Sequence, residues 1–208
     1  MRLKYHRRIT TQALEKYVSP TALESIITAN FGQDALRYQL GHDHFHYDNS
    51  SFTAGDAYIQ AQRRIIKDAL AHGEALPAWQ AFGRLTHAVQ DFYAHSNYVA
   101  LWRERDPGAP ADQIHPLFAE ALNDSRLHSG RLYYPLEALS FFPAILPLVA
   151  PFLPHNSHAW MNKDDPTRPD FDFAYAAAVK RTELEFQNIV QDLIPSQAAL
   201  FVGKSVSR

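Results

Sequence analysis

Apolar residues recur along this chain mostly at the three- and four-residue steps of a helix. Nowhere do they alternate with polar ones over a useful length, and no two-residue hairpin turn separates them. Thr10 to Tyr17 carries a short periodic segment. Ser19-Pro20 reads as an N-cap followed by proline in the first turn, opening a helix to about Phe31. Gln33 to Leu40 predicts a short helix. Residues 54–72 predict a longer one, with Ile59, Ile65, Ile66 and Leu70 on its apolar face and Gly73 as its stop. Pro77 starts a helix expected to run to about Trp102, with Phe82, Leu85, Val89 and Phe92 in the core stripe. A loop follows at Asp106-Pro-Gly-Ala-Pro110, then a helical stretch from Ala111 to Asn123 interrupted by Pro116. Residues 124–170 are rich in proline and carry no clear period. Phe171 to Leu193 closes the chain with a strong helix, and the tail from Gly203 is expected to fray. The prediction is an all-α, compact multi-helix bundle with long loops, forming one domain over residues 1–208.

Composition narrows the classes. At 208 residues with 46% hydrophobic and 12% aromatic content, the chain can bury a substantial core. A formal net charge of −2 supplies no cationic field to gather nucleic acid, so a nucleic-acid partner is not expected. The absence of cysteine excludes disulfides and leaves the redox compartment open. The first eight residues are basic but lack an apolar stretch like that of a signal peptide, so a cytoplasmic location is expected. Leu139 to Leu153 is the most apolar segment. Three prolines break it, and it is too short to span a bilayer.

The chemistry lies in eleven histidines. Imidazole and carboxylate without thiolate is the ligand set of catalytic zinc rather than of cysteine-bound structural zinc. His87, Asp91 and His95 fall at i, i+4 and i+8. Each step turns about 40° and the whole rises about 12 Å, so the three share a face but spread along it. That suits a cluster in which His87 and Asp91 hold one ion and His95 starts another. Of His42, His44 and His46, one or two are expected to be ligands. Asp34 and His6, each taken alone, read as surface residues. His155 and His158 lie three apart, with Asp164 and Asp165 following in a loop. His72, His115 and His128 have no acidic or imidazole neighbour at ligand spacing and read as structural.

Together, several segments resemble one superfamily: the zinc-dependent phospholipases C, the fungal single-strand-specific nucleases and the HET-C-like heterokaryon incompatibility proteins. The likeness is greatest to the HET-C-like branch. It rests on His6-Arg-Arg-Ile-Thr-Thr-Gln-Ala-Leu14, Asn30-Phe-Gly-Gln-Asp34, His46-Tyr-Asp-Asn49, Leu85-Thr-His-Ala-Val-Gln-Asp-Phe-Tyr-Ala-His-Ser-Asn-Tyr98 and His158-Ala-Trp-Met-Asn-Lys-Asp164. The resemblance implies a phospholipase C-type bundle holding two or three zinc ions. Asp91 would bridge two of them. His46 and His87 would complete the first, with Asp34 as a further ligand or as the base that orients water. His6 would bind the second, and His95 and His158 the third. Where that family has an acidic residue four positions after its last histidine, this chain has Asn162, and Asp164 is the expected substitute.

The function expected on that basis is zinc-dependent hydrolysis of a phosphodiester. Asp34 and Asp91 would be the catalytic carboxylates, and the substrate a phosphate ester of the phospholipid class. Segment 139–153 is either a lid, a peripheral membrane contact or a buried connector. A single-strand nuclease and a non-catalytic, metal-stabilised scaffold are the alternative readings.

Overall fold

The computed structural model describes residues 1–38, 41–140, 142 and 144–203. The described residues form eleven α-helices and no strand. In chain order they are α1 (Leu3–Leu14), α2 (Pro20–Phe31), α3 (Phe52–Ala71), α4 (Ala75–His95), α5 (Tyr98–Arg105), α6 (Ala119–Leu122), α7 (Leu136–Ser140), α8 (Leu146–Val149), α9 (His158–Met161), α10 (Phe171–Gln191) and α11 (Pro195–Phe201). Short 3-10 turns and two isolated backbone bridges, Ser96 with Ser129 and Arg131 with Ser157, complete the path. The all-α class expected from the periodicity is the class observed.

α4 is the axis. It packs against α2, α3 and α10, and every residue from Leu85 to His95 is buried. Phe82 and Leu85 on α4, Ile26 on α2, Ile66 on α3, Phe186 on α10 and Phe201 on α11 lie in one core. Each such side chain contributes about 1.5–3 kcal/mol by leaving water. Gly83 lets α2 approach closely. A Cβ added at Gly83 would collide with the Ile26 carbonyl and come within 2.8 Å of the Ala29 Cβ.

Helix boundaries differ from expectation where tertiary contacts decide them. α1 begins at Leu3 rather than Thr10, because Tyr5, His6 and Ile9 already face inward. α2 starts as predicted, with Ser19 Oγ accepting the Ala22 N–H at 3.2 Å. The expected helix over 33–40 is instead two 3-10 turns, Gly32–Asp34 and Leu36–Tyr38, and residues 39 and 40 lie outside the described residues. Ile65 is exposed rather than on the buried face of α3. The helix expected to reach Trp102 breaks at Ser96, which is extended. Its neighbour Asn97 exchanges backbone and side-chain hydrogen bonds with His128. Only Ala111–Gln113 and α6 form within 111–123, and α11 was not foreseen. Of the tail expected to fray from Gly203, residues 204–208 fall outside the described residues. No helix among the described residues is long and apolar enough to cross a membrane.

Candidate metal centre

The inner face of α4 presents His87, Asp91 and His95 in one line, all buried. α1 brings His6 beside them, its ring stacked on that of His87 with centroids 4.5 Å apart. The turns after α2 supply Asp34, the loop before α3 supplies His46 and Asp48, and the segment around α9 supplies His158 and Asp164. Four carboxylates and five imidazoles therefore converge from five stretches of chain.

One group comprises Asp34, His46, His87 and Asp91, each offering a ligand atom within 4.8 Å of the others. His87 Nε2 stands 3.0 Å from Asp91 Oδ2 and 3.0 Å from His46 Nδ1, and His46 Nδ1 stands 3.1 Å from Asp91 Oδ2. That triangle is slightly smaller than the face of a tetrahedron built on zinc–ligand bonds of ~2.0–2.1 Å. Asp34 Oδ1, 3.7 Å from His87 Nε2, lies at the open side. The other Asp91 oxygen, Oδ1, faces His6 Nε2 at 3.3 Å, so one carboxylate serves both sides.

A second group comprises Asp48, His95 and His158. Asp48 Oδ1 is 3.0 Å from His158 Nδ1 and 3.3 Å from His95 Nδ1. On its other side His95 Nε2 is 3.4 Å from Asp164 Oδ1. The Met1 amino group is seated between the groups, 2.6 Å from Asp91 Oδ1, 3.1 Å from Asp164 Oδ1 and 3.2 Å from His95 Nε2. The site thus draws positive charge to its middle.

The local backbone is built to hold this. Tyr47, Asn49 and Ser50 all adopt left-handed φ values of 52–57°, unusual for residues other than glycine. The turn is clamped from outside. Asn49 N donates to the Gly130 carbonyl at 2.9 Å, Ser50 N to Ser129 Oγ at 2.8 Å and Leu132 N to Asn49 Oδ1 at 2.9 Å. Gly130 in turn lies against His158, where an added Cβ would come within 2.6 Å of the His158 Cα.

Behind the cluster lies a buried amide network. Gln90 Nε2 donates to Thr10 Oγ1 and Thr182 Oγ1, both at 3.1 Å, and the Thr182 hydroxyl is itself spent on the Ala178 carbonyl. Gln90 must therefore turn its oxygen to His6 Nδ1, 2.6 Å away. The proton then sits on Nδ1, and the Nε2 lone pair points at the cluster. Asn30 Nδ2 donates to Thr86 and Gln90, while its oxygen faces His87 Nδ1 at 3.4 Å.

Charge balance follows from the geometry. Burial alone would raise the Asp91 carboxyl, but the Met1 amino group, His95, His87 and His6 hold it well below the usual range. Burial likewise opposes ionisation of Asp48, yet His158 and His95 keep it below its ordinary value. Burial pushes His87 down to about 4, against the pull of Asp91 and Asp34, so it is a neutral donor. His95 is raised to about 10 despite burial, chiefly by Asp91.

The donor set fits metal ions on an independent observation. Buried His6 Nε2, His46 Nε2 and Asp164 Oδ1 make no hydrogen bond, the first and last having only their contacts of charge. With its proton held on Nδ1, His6 Nε2 offers a lone pair beside carboxylate oxygens that can only accept, and such a gathering wants a cation, not a further acceptor.

All eight residues singled out as ligands from sequence — His6, Asp34, His46, His87, Asp91, His95, His158 and Asp164 — come together here. Asp48 was missed; its signal was its place two residues after His46. Asn162 turns away, its Nδ2 donating to the His158 and Ala159 carbonyls at 3.0 Å, and so caps α9. His42 packs against Tyr38 and Phe45, His44 meets Phe45 and Tyr58 edge to face, and His155 lies on Trp160. A cavity of about 1090 Å³ opens over the centre. His46, Asp48, His95 and Asp164 form its floor, with Tyr134, Pro135, Ala138 and Phe142 on a wall.

Comparison with known proteins points elsewhere than the expected superfamily. A family model described as the VWA7 N-terminal domain matches residues 8–109, the stretch from α1 through α5. The von Willebrand factor A domain-containing protein 7 of Rattus norvegicus is 35% identical over 86 residues, covering 41% of this chain and 10% of the relative. Its counterpart in Homo sapiens is 35% identical over 85 residues, covering 40% and 9%. The chain thus spans about a tenth of these relatives' length. No solved structure matches. These findings overturn the resemblance to zinc-dependent phospholipases C, single-strand nucleases and HET-C-like proteins. The phosphodiester hydrolase reading falls with it, and what this chain is similar to, over 8–109, is the VWA7 N-terminal domain.

Proposed function

We propose that this chain is a metal-binding helical module that holds two or three divalent ions of the zinc type. Asp34, His46, His87 and Asp91 would take one ion. Asp91 and His6 would take a neighbouring one, and His95, His158 and Asp48 or Asp164 a further one. The observation that carries this reading is buried His6 Nε2, which makes no hydrogen bond and faces Asp91, beside the converging ligand atoms of Asp34, His46, His87 and Asp91. Such a charge density is costly to bury without cations. The ions would fasten the loops around Asp34, Asp48 and Asp164 to α4, and a bound ion would supply folding free energy. The match to part of a much longer relative supports reading the stretch as a module within larger architectures.

The test is direct. Chelator-stripped protein is refilled with zinc, the metal is counted by plasma emission, and melting is followed by circular dichroism. Two or three ions per chain and a melting temperature several degrees higher are expected, since a ligand that binds only the folded state stabilises it. Asp91→Asn and His87→Ala should lose most of the uptake while keeping helical content. Failure of the wild-type chain to take up zinc, with an unmoved melting curve, ends the reading.

A further inference from the structure

Ten large hydrophobic side chains are exposed among the described residues. Six of them — Tyr134, Leu139, Phe142, Leu148, Phe152 and Trp160 — fall between residues 134 and 160, leaving Leu3, Ile65, Leu76 and Ile194 elsewhere. Leu148 and Phe152 are 72% and 78% exposed. Such a concentration is not what an ordinary surface shows, where exposed apolar residues are scattered singly.

The six are carried on a fixed frame. Trp160 Nε1 donates to the carbonyls of Ala150 and Leu153, at 2.9 and 3.1 Å, tying α9 to the end of α8. Glu137 Oε1 accepts the Ala159 N–H at 2.6 Å, tying α7 to α9. Val149 and Leu153 point inward, so their neighbours Leu148 and Phe152 are turned outward by the same short helices. Phe142 belongs both to this ridge and to the wall of the cavity, so the apolar surface continues inward.

The charge pattern selects the occupant. From Ala138 through Pro154 no residue is charged. Glu137 is fully buried, which leaves Arg131 as the exposed full charge between 127 and 162. Exposed Arg2 and Lys4 line the cavity beneath the ridge, whose carboxylates, Asp34, Asp48 and Asp164, are partly or fully buried. An apolar ridge with a basic border and no exposed carboxylate of its own complements an anionic bilayer surface. A second copy meeting it about a two-fold axis would set these cations against themselves.

We propose that the ridge from Tyr134 to Trp160 docks on the surface of an anionic lipid bilayer. Phe142, Leu148 and Phe152 enter the acyl boundary, and the amphipathic rings of Trp160 and Tyr134 lie at headgroup level. This does not rest on metal binding.

The experiment is co-sedimentation of the full chain with vesicles of phosphatidylcholine, alone or mixed with phosphatidylserine. The wild-type chain is expected to pellet with the mixed vesicles, less with pure phosphatidylcholine, and less as salt is raised. Phe142→Ser with Phe152→Ser should lower partitioning roughly tenfold or more while leaving melting unchanged, because both side chains already stand in water. Arg131→Glu should weaken binding to the mixed vesicles alone. A wild-type chain that stays in the supernatant overturns the proposal, as does a double variant that pellets equally well. A dimer in light scattering that the double variant dissolves also overturns it, and assigns the ridge to a second copy instead.

Discussion

Gln90 carries no charge and offers the cluster no ligand atom, yet its orientation decides which nitrogen of His6 is free. Replacing it with Met keeps the volume and removes both donors and the acceptor. His6 Nδ1, Thr10 and Thr182 then lose a buried partner, and Gln90→Met is expected to cost about 3 kcal/mol in urea unfolding of the metal-free chain. Zinc affinity should fall by about 10–100-fold as the His6 ring loses its fixed tautomer. Titration by calorimetry checks this, and unchanged affinity would remove Gln90 from the metal's support. At this scale the grouping on α4 was legible, because helical spacing turns His87, Asp91 and His95 to one side whatever surrounds them. Asp48 was not. Its carboxylate reaches His95 and His158 only because the chain passes through left-handed φ at Tyr47 and Asn49, and nothing in Tyr-Asp-Asn announces that turn.

At the scale of elements, two close approaches set the site's frame. Gly83 lets α2 seat Asn30 against α4. Gly83→Ala should destabilise the chain by about 1–3 kcal/mol, read from the shift in urea midpoint, because a backbone carbonyl stands in the way of the added methyl. Gly130→Ala pushes instead on the backbone of His158. It should reduce metal uptake at the group of Asp48, His95 and His158 while sparing the group around His87. Loss of one ion with the others retained, measured by metal counting, is the expected outcome; full retention would show that α9 can yield. The start of α2 was readable from Ser19-Pro20, since capping is local chemistry. The end of α4 was not, because Ser96 leaves the helix to let Asn97 pair with His128, a partner about thirty residues on. The segment 124–170 resisted prediction for the same reason. Its short helices α7, α8 and α9 are held by one another, with α9 also meeting α4, and not by their own period.

For the whole molecule, pH tests the charge balance. The folded values of Asp48 and Asp91 lie below the ordinary 3.8. Their contribution is therefore complete above the unfolded value and is lost as pH falls through the folded ones. The chelator-treated protein should lose urea resistance progressively below about pH 4, and Asp48→Asn should flatten that slope. A slope the same in wild type and variant would place the acid sensitivity elsewhere. The all-α architecture was legible because helical periodicity is written in nearly every long segment. The activity was not. Histidine and aspartate spacing specifies where donors meet, and the same meeting of donors serves hydrolysis, binding or stability alike.

The ligand-type groups come from five stretches, and only α1 and α4 among them are long helices of the packed core; the rest sit in connectors held by short turns and by bonds to neighbouring connectors. Each ion would therefore act as a rivet where no long helix holds the chain. Once chelated, the protein should keep its central helices while the connectors around 42–50 and 124–170 open first. A protease given the stripped chain would nick those connectors well before it reaches α3 or α4, leaving a resistant helical remnant. Zinc added back should close the cuts' point of entry without altering the rate at which the remnant itself is digested.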